Sequence, residues 1–445
     1  MKLLHGLGLS TATLALLLTC QVARAADVEV STAAGLYAAL EAAPAGTRVH
    51  LAAGVYELDR PLTVPDGVTL SGSGSMELDA AGRAAGMVPA GATTLSAHGR
   101  WSGNVIEMGR RASLQRLRVV DVTEAAAGST DENSRRNLVV VASRRAGDVL
   151  EASIHDCELS TGQSFSFGRV GPFGRAIGVW TRNPGDSGAM DSGAQVRLNL
   201  ERSVVRAPRS NSLFAINFAA GGKVEVTISD SLLLGQLSAA GAASRPDPVT
   251  RASTSVRSHN TLYAAAGGID RVGWHLFGGS GVPHPGLGLG VPPGAHDNQL
   301  SFSSREDLIE GFRTGILAAA GRRIGNLSGP SSGNRMELDL RDLRIRSEGE
   351  GAADLRLFGA LAEPTPGGSE TLPPGEGNLT TIRMTGTTGS GPRANRYADL
   401  EGVTRGTRDE DHNRLQVIGS LDRFQRLNPG LVPAPGVEFF IEASP

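Results

Sequence analysis

Short runs of alternating apolar and polar residues recur along most of the chain. Val196, Leu198 and Leu200 alternate with Arg197, Asn199 and Glu201, and Val224, Val226 and Ile228 alternate with Glu225 and Thr227. Met336, Leu338 and Leu340 alternate with Arg335, Glu337 and Asp339. Leu355 and Leu357 flank Arg356, Ile382 and Met384 flank Arg383, and Leu415 and Val417 flank Gln416. A period of two marks strands with one apolar and one polar face. Glycine, asparagine, serine or proline ends each run after a few residues. One segment beyond the N-terminal leader reads as a helix. Thr32 supplies an N-cap for residues 33–43, Leu36, Ala39, Leu40 and Ala43 share a face, and Pro44 and Gly46 stop it.

A layered α/β sheet would need helices between the strands, and none are readable. A right-handed coil of short parallel strands meets the pattern. It turns the apolar faces inward, exposes the polar ones, and lets each turn hydrogen-bond to the next. The expected fold class is all-β, a right-handed parallel β-helix (a solenoid) with a short N-terminal capping helix. The alternative is a β-propeller or a pair of β-sandwiches; no aromatic motif repeats as it would in propeller blades. Asn260, Asn298, Asn334, Asn378 and Asn413 open several of the runs, where asparagine tolerates a left-handed turn and can stack on its counterpart. Three glycine- and proline-rich stretches, residues 278–295, 361–377 and 385–396, are expected as long loops between coils.

The start of the strand series carries a more particular pattern. A strand at Arg48–Leu51 precedes Gly54-Val55-Tyr56, then Pro61-Leu62-Thr63-Val64, a turn at Pro65-Asp66-Gly67, and Val68-Thr69-Leu70-Ser71-Gly72. This resembles the N-terminal coil of the pectin-lyase-like superfamily of right-handed parallel β-helix proteins. There an opening helix is followed by a G-x-Y and then a P-x-G-V-x-L-x-G passage, which Gly54, Tyr56, Pro65, Gly67, Val68, Leu70 and Gly72 match. The resemblance covers most of residues 27–430. It implies the architecture and, as activities the family includes, polysaccharide lyase or glycoside hydrolase chemistry.

Neither enzymatic signature of that family is present. Hydrolases of the polygalacturonase type need paired carboxylates across the scissile bond. The chain has no Asp-Asp and no Gly-His-Gly, only the partial echo Arg344-Ile345-Arg346 in an alternating run. Lyases of the pectate type imply calcium held by clustered oxygen ligands, and the nearest carboxylates in sequence, Asp339 and Asp342, read as solvated-face residues instead. Calcium is therefore expected only if the protein is a lyase. Lys223, the one lysine after the leader, reads as a strand-end residue.

The densest group of functional side chains lies between residues 245 and 284. The candidates for binding substrate are Arg257, His259, Asp270, Arg271, Trp274 and His275. Arg257 and His259 alternate with Ser258 and share one face. Trp274 offers a ring for a sugar to stack on and His275 a proton donor or acceptor, with the core as the alternative place for Trp274. No catalytic residue is assigned, and the histidine spacing matches no zinc site.

Residues 1–25 read as a signal peptide. Lys2 precedes an apolar run at residues 7–18, too short to span a bilayer, and Ala23-Arg24-Ala25 is a small-x-small cleavage site. Lipidation at Cys20 is the alternative. The expected organisation is therefore 1–25 leader and 26–445 a single domain, exported to the periplasm or beyond. After cleavage Cys157 is the one cysteine, so no disulfide framework holds the protein together. The formal net charge of −2 gives no field for nucleic acid. The functional expectation is an exported β-helix protein that binds or cleaves extracellular or cell-envelope polysaccharide. A non-catalytic structural or surface-binding β-helix is the alternative.

Overall fold

The computed structural model describes residues 26–98, 103–122, 137–162, 175–181, 193–244, 248–266, 272–281, 293–364, 372–389, 412–419 and 437–441. Within them the chain winds as a parallel β-helix. One coil shows the plan: Lys223–Ser229, then a strand Leu232–Ser244 that bends midway, then return to Ser253–His259. Lys223–Ser229 pairs in parallel with Gln195–Glu201 before it and Ser253–His259 after it, with no slip in register. Stacked coils so form three columns. The first is a 13-stranded sheet, and the second and third make up a 17-stranded sheet through strands that turn the corner between them.

The register explains the alternation. In the first column Leu198, Val226, Val256, Phe302, Leu338, Ile382 and Val417 form one inward rung, and all are buried. The expected helix forms over Ala33–Ala42. The Thr32 hydroxyl accepts from the Gly35 N–H at 3.1 Å, and Leu36, Tyr37 and Leu40 are buried against the first coil. It covers a sheet end that would otherwise offer unpaired backbone to another chain.

Two of the corners are built from side-chain ladders. At the corner leading into the first column, Asn298, Asn334, Asn378 and Asn413 stack. Each of the first three donates its N–H and its amide to the next oxygen at 2.9–3.1 Å. Gly321 allows this: a Cβ there would lie 2.5 Å from the Asn378 amide nitrogen. Asn260, expected in the same series, stands at the next corner instead, with a left-handed φ of 47°. Arg116, Asp156, Arg202, Asp230, Glu306 and Asp342 hold left-handed conformations at that corner in other coils. Just inside it the Cys157 N–H donates to the Ser203 hydroxyl, and the Ser203 N–H to the Ser231 hydroxyl. Cys157 is buried, and burial pushes its thiol up to about 12.

One excursion departs from the coil. Met76–Leu78 and Ala84–Met87 form an antiparallel hairpin that runs across the coils rather than with them. Its Met87 N–H donates to Glu158, its Ala84 N–H to the Asp230 carbonyl, and Ala81 accepts from Asn260. Expected loop boundaries also shift. Gly278–Gly281 ends the strand Val272–Gly281, Leu361–Glu363 ends Ala353–Glu363, and Thr388–Gly389 is a short strand. Residues 1–25, most of 278–295, the middle of 361–377 and residues 390–396 lie outside the described residues.

Candidate functional site

The six candidate residues separate. Arg257 and His259 stand on the outer face of the first column, in register with Ser303 and Arg305. His259 lies 3.9 Å from Glu306. Asp270 and Arg271 lie outside the described residues. Trp274 takes its core alternative. It pairs with Leu237 and Ile316 on an inward rung, is fully buried, and packs between Tyr263 at 5.1 Å and Phe302 at 4.4 Å. No sugar reaches its ring. His275, one residue on, points the opposite way.

His275 belongs to the outer face of the third column, which differs from the other outer faces. Trp180, Ile216, Ala240, Phe277, Ala319 and Phe358 form one rung there. All six point away from the coil axis and all are buried. Gly178 makes room for the Trp180 ring, since a Cβ there would lie 2.0 Å from it. The Arg175 guanidinium sits 3.6 Å above the Phe214 ring on the same face.

Charged groups collect at the C-terminal end of this face. Phe277 packs edge-on to His275 at 4.5 Å and carries the Arg322 guanidinium 4.4 Å above its ring. Arg322 also donates twice to one Glu363 oxygen, at 2.8 and 2.5 Å, and is only 7% exposed. Burial, and then the positive charge of Arg322, hold the His275 imidazole well below its ordinary pKa, so it is neutral at physiological pH. Parallel stacking alone assembles this group: Phe277 opposes Ala319, and the Arg322 and Glu363 strands are adjacent. Among the described residues no three His, Cys, Asp or Glu side chains converge to hold a metal ion.

Arg322, Phe277 and Glu363 escaped sequence reasoning because they lie up to 86 positions apart (363 − 277) with no local motif. One signal was available. Val-Gly-Trp-His-Leu-Phe and Leu-Ala-Ala-Ala break the alternation, as strands buried on both faces do.

Strand pairing thus defines a parallel β-helix protein. No protein-family description matches the chain, and no curated protein is significantly similar to it. Among solved structures it is similar to the A-module of a mannuronan C-5 epimerase from Azotobacter vinelandii, at 14% identity and a TM-score of 0.29, over 93% of this chain and 95% of that one. It is also similar to the catalytic unit of a GH87 α-1,3-glucanase from Streptomyces thermodiastaticus, at 13% identity and a TM-score of 0.24, over 83% and 69%. Scores this low carry no conclusion about this chain, and the fold rests on its own strand pairing. Among the described residues no helix is long and apolar enough to cross a membrane.

Proposed function

We propose that the chain is an exported protein that binds or cleaves extracellular or cell-envelope polysaccharide. The outer face of the third column around His275, Arg322 and Glu363 would hold the sugar chain. One observation carries this reading: Arg322 points away from the core and is nevertheless kept from water, between an aromatic ring and a carboxylate. Charges removed from water are costly for stability, and perturbed ionisable groups gathered off the core are a mark of functional sites. A guanidinium suits planar recognition of a ligand carboxylate.

Neutral His275 suits a lyase. It would accept the proton on the carbon beside a uronate carboxylate. The electron pair left behind forms the double bond as the glycosidic C–O bond breaks, and the leaving oxygen takes a proton from water. Glycoside hydrolysis would need two carboxylates. Among the described residues Glu363 is the carboxylate bonded into this group, and Arg322 engages it. That same satisfied pair favours the second reading, a non-catalytic binding or structural β-helix.

The test is to incubate the mature protein with uronate-containing polysaccharides, with and without calcium, and follow the ultraviolet absorbance of unsaturated sugars. The expected result is product that disappears in His275→Ala. If no polymer gives product in either condition, the lyase reading fails.

A further inference from the structure

The outer face of the first column changes character along its length. In the coils before Ser253 charges of both signs alternate and several are paired. Arg197 bridges Glu151 and Glu225 in neighbouring strands, and His155 pairs with Glu201 at 3.2 Å. From Ser253 onward the balance tips. The outward positions of five successive strands carry Arg257, Arg305, Arg335, Arg341, Arg383 and Arg414 against Glu337 and Asp339. Asp339 is paired with Arg341 at 2.8 Å, and Arg305 with Glu306 at 3.1 Å. Among the described residues Arg257, Arg335 and Glu337 make no ion pair.

These strands also form a shallow groove of about 550 Å³. Its outward rungs are Ser255, Ser301, Glu337 and Thr381 in one row and Arg257, Ser303, Asp339 and Arg383 in the next. Each row crosses the strands, so polar or charged side chains recur at the inter-strand spacing of roughly 4.8 Å.

We infer that this groove is a second saccharide site, separate from the third column, that binds an acidic polysaccharide lying along the coil axis. Three features select that ligand. The arginine excess calls for negative charge. The hydroxyls and the two carboxylates call for a partner rich in O–H donors. Among the described residues no outward aromatic ring lines the groove to offer the stacking that serves neutral sugars. A nucleic acid supplies the charge but would set its phosphates against Glu337 and Asp339. The inference shares with the proposed function only the substrate class, and its test reads binding without turnover.

The experiment is titration calorimetry of the full mature protein with polygalacturonate, its fully methyl-esterified form, dextran and duplex DNA. Polygalacturonate is expected to bind, more weakly as salt rises. The other three are expected not to. Arg257→Glu with Arg335→Glu should weaken binding by about tenfold or more. Lys223→Glu, on the same face in the earlier coils, should leave it unchanged. Equal binding by the double variant, or binding of dextran or DNA as tight as that of polygalacturonate, overturns the inference. Binding without unsaturated product sinks the lyase reading and leaves this one standing.

Discussion

The outer faces of the first and third columns share strand direction and in-register rungs, yet they meet water differently. On the first, outward positions are arginine, glutamate, serine and threonine, and most are at least partly exposed. On the third, the Trp180 to Phe358 rung points outward just as squarely and is buried throughout. Alternation reports the side of the backbone a residue takes. It does not report whether that side is wet. The ionisable groups follow the same division: solvent-screened ion pairs on one face, and a shielded arginine beside a neutral histidine on the other.

The largest expected effect tests that division directly. Phe277→Ala removes a buried ring although it lies outside the coil, and should cost about 3–5 kcal/mol, as a core aromatic would. Ser303→Ala on the first column should change stability by less than about 0.5 kcal/mol. Denaturant midpoints with unchanged slopes would show this, and equal midpoints would erase the contrast. A middle-sized effect belongs to the corner that joins the two faces. Asn334→Ala strands the Asn298 N–H and the Ala295 carbonyl, both buried, and should cost about 1–3 kcal/mol.

The smallest effect is one of pH. His275 has a depressed pKa, so its contribution is present above 6.5 and is lost as pH falls through that range, because the unfolded chain takes a proton the folded one refuses. Asp307 runs the other way. Burial raises its carboxyl from 3.8 to about 7, against bonds from Ser304 and the Thr261 N–H. Its contribution is full below 3.8, declines as pH rises to about 7, and is flat beyond. His275→Gln should therefore flatten the acid side of a stability profile, and Asp307→Asn should remove the decline toward neutrality.

The solenoid was legible because its inward rungs repeat at period two in the sequence, as in Leu198 or Val226 with their neighbours. The helix was legible because its cap and stop are local. The site was legible only where it obeyed the same rule. Arg257 and His259 sit on the polar phase of a clean alternation and emerged on the polar face. Trp274 lies in a strand apolar in both phases, where alternation cannot choose a side, and the aromatic pocket between Tyr263 and Phe302 chose the interior. Asn260 resembles the ladder asparagines in sequence but opens a different corner, a distinction set by where the chain bends. Arg322 and Glu363 meet across stacked strands, and only the number of residues per coil decides that.

The hairpin at residues 76–87 gives the solenoid a preferred end for coming apart. A stack in which each turn touches only its neighbours frays from either tip with equal ease. Here a crosswise clasp fastens the early turns to Glu158, Asp230 and Asn260. Those turns must let go together, while the turns past Asn260 peel away singly. Pulled or heated, the molecule should unzip from its C-terminal side first and leave a stub under the clasp as the last part to melt.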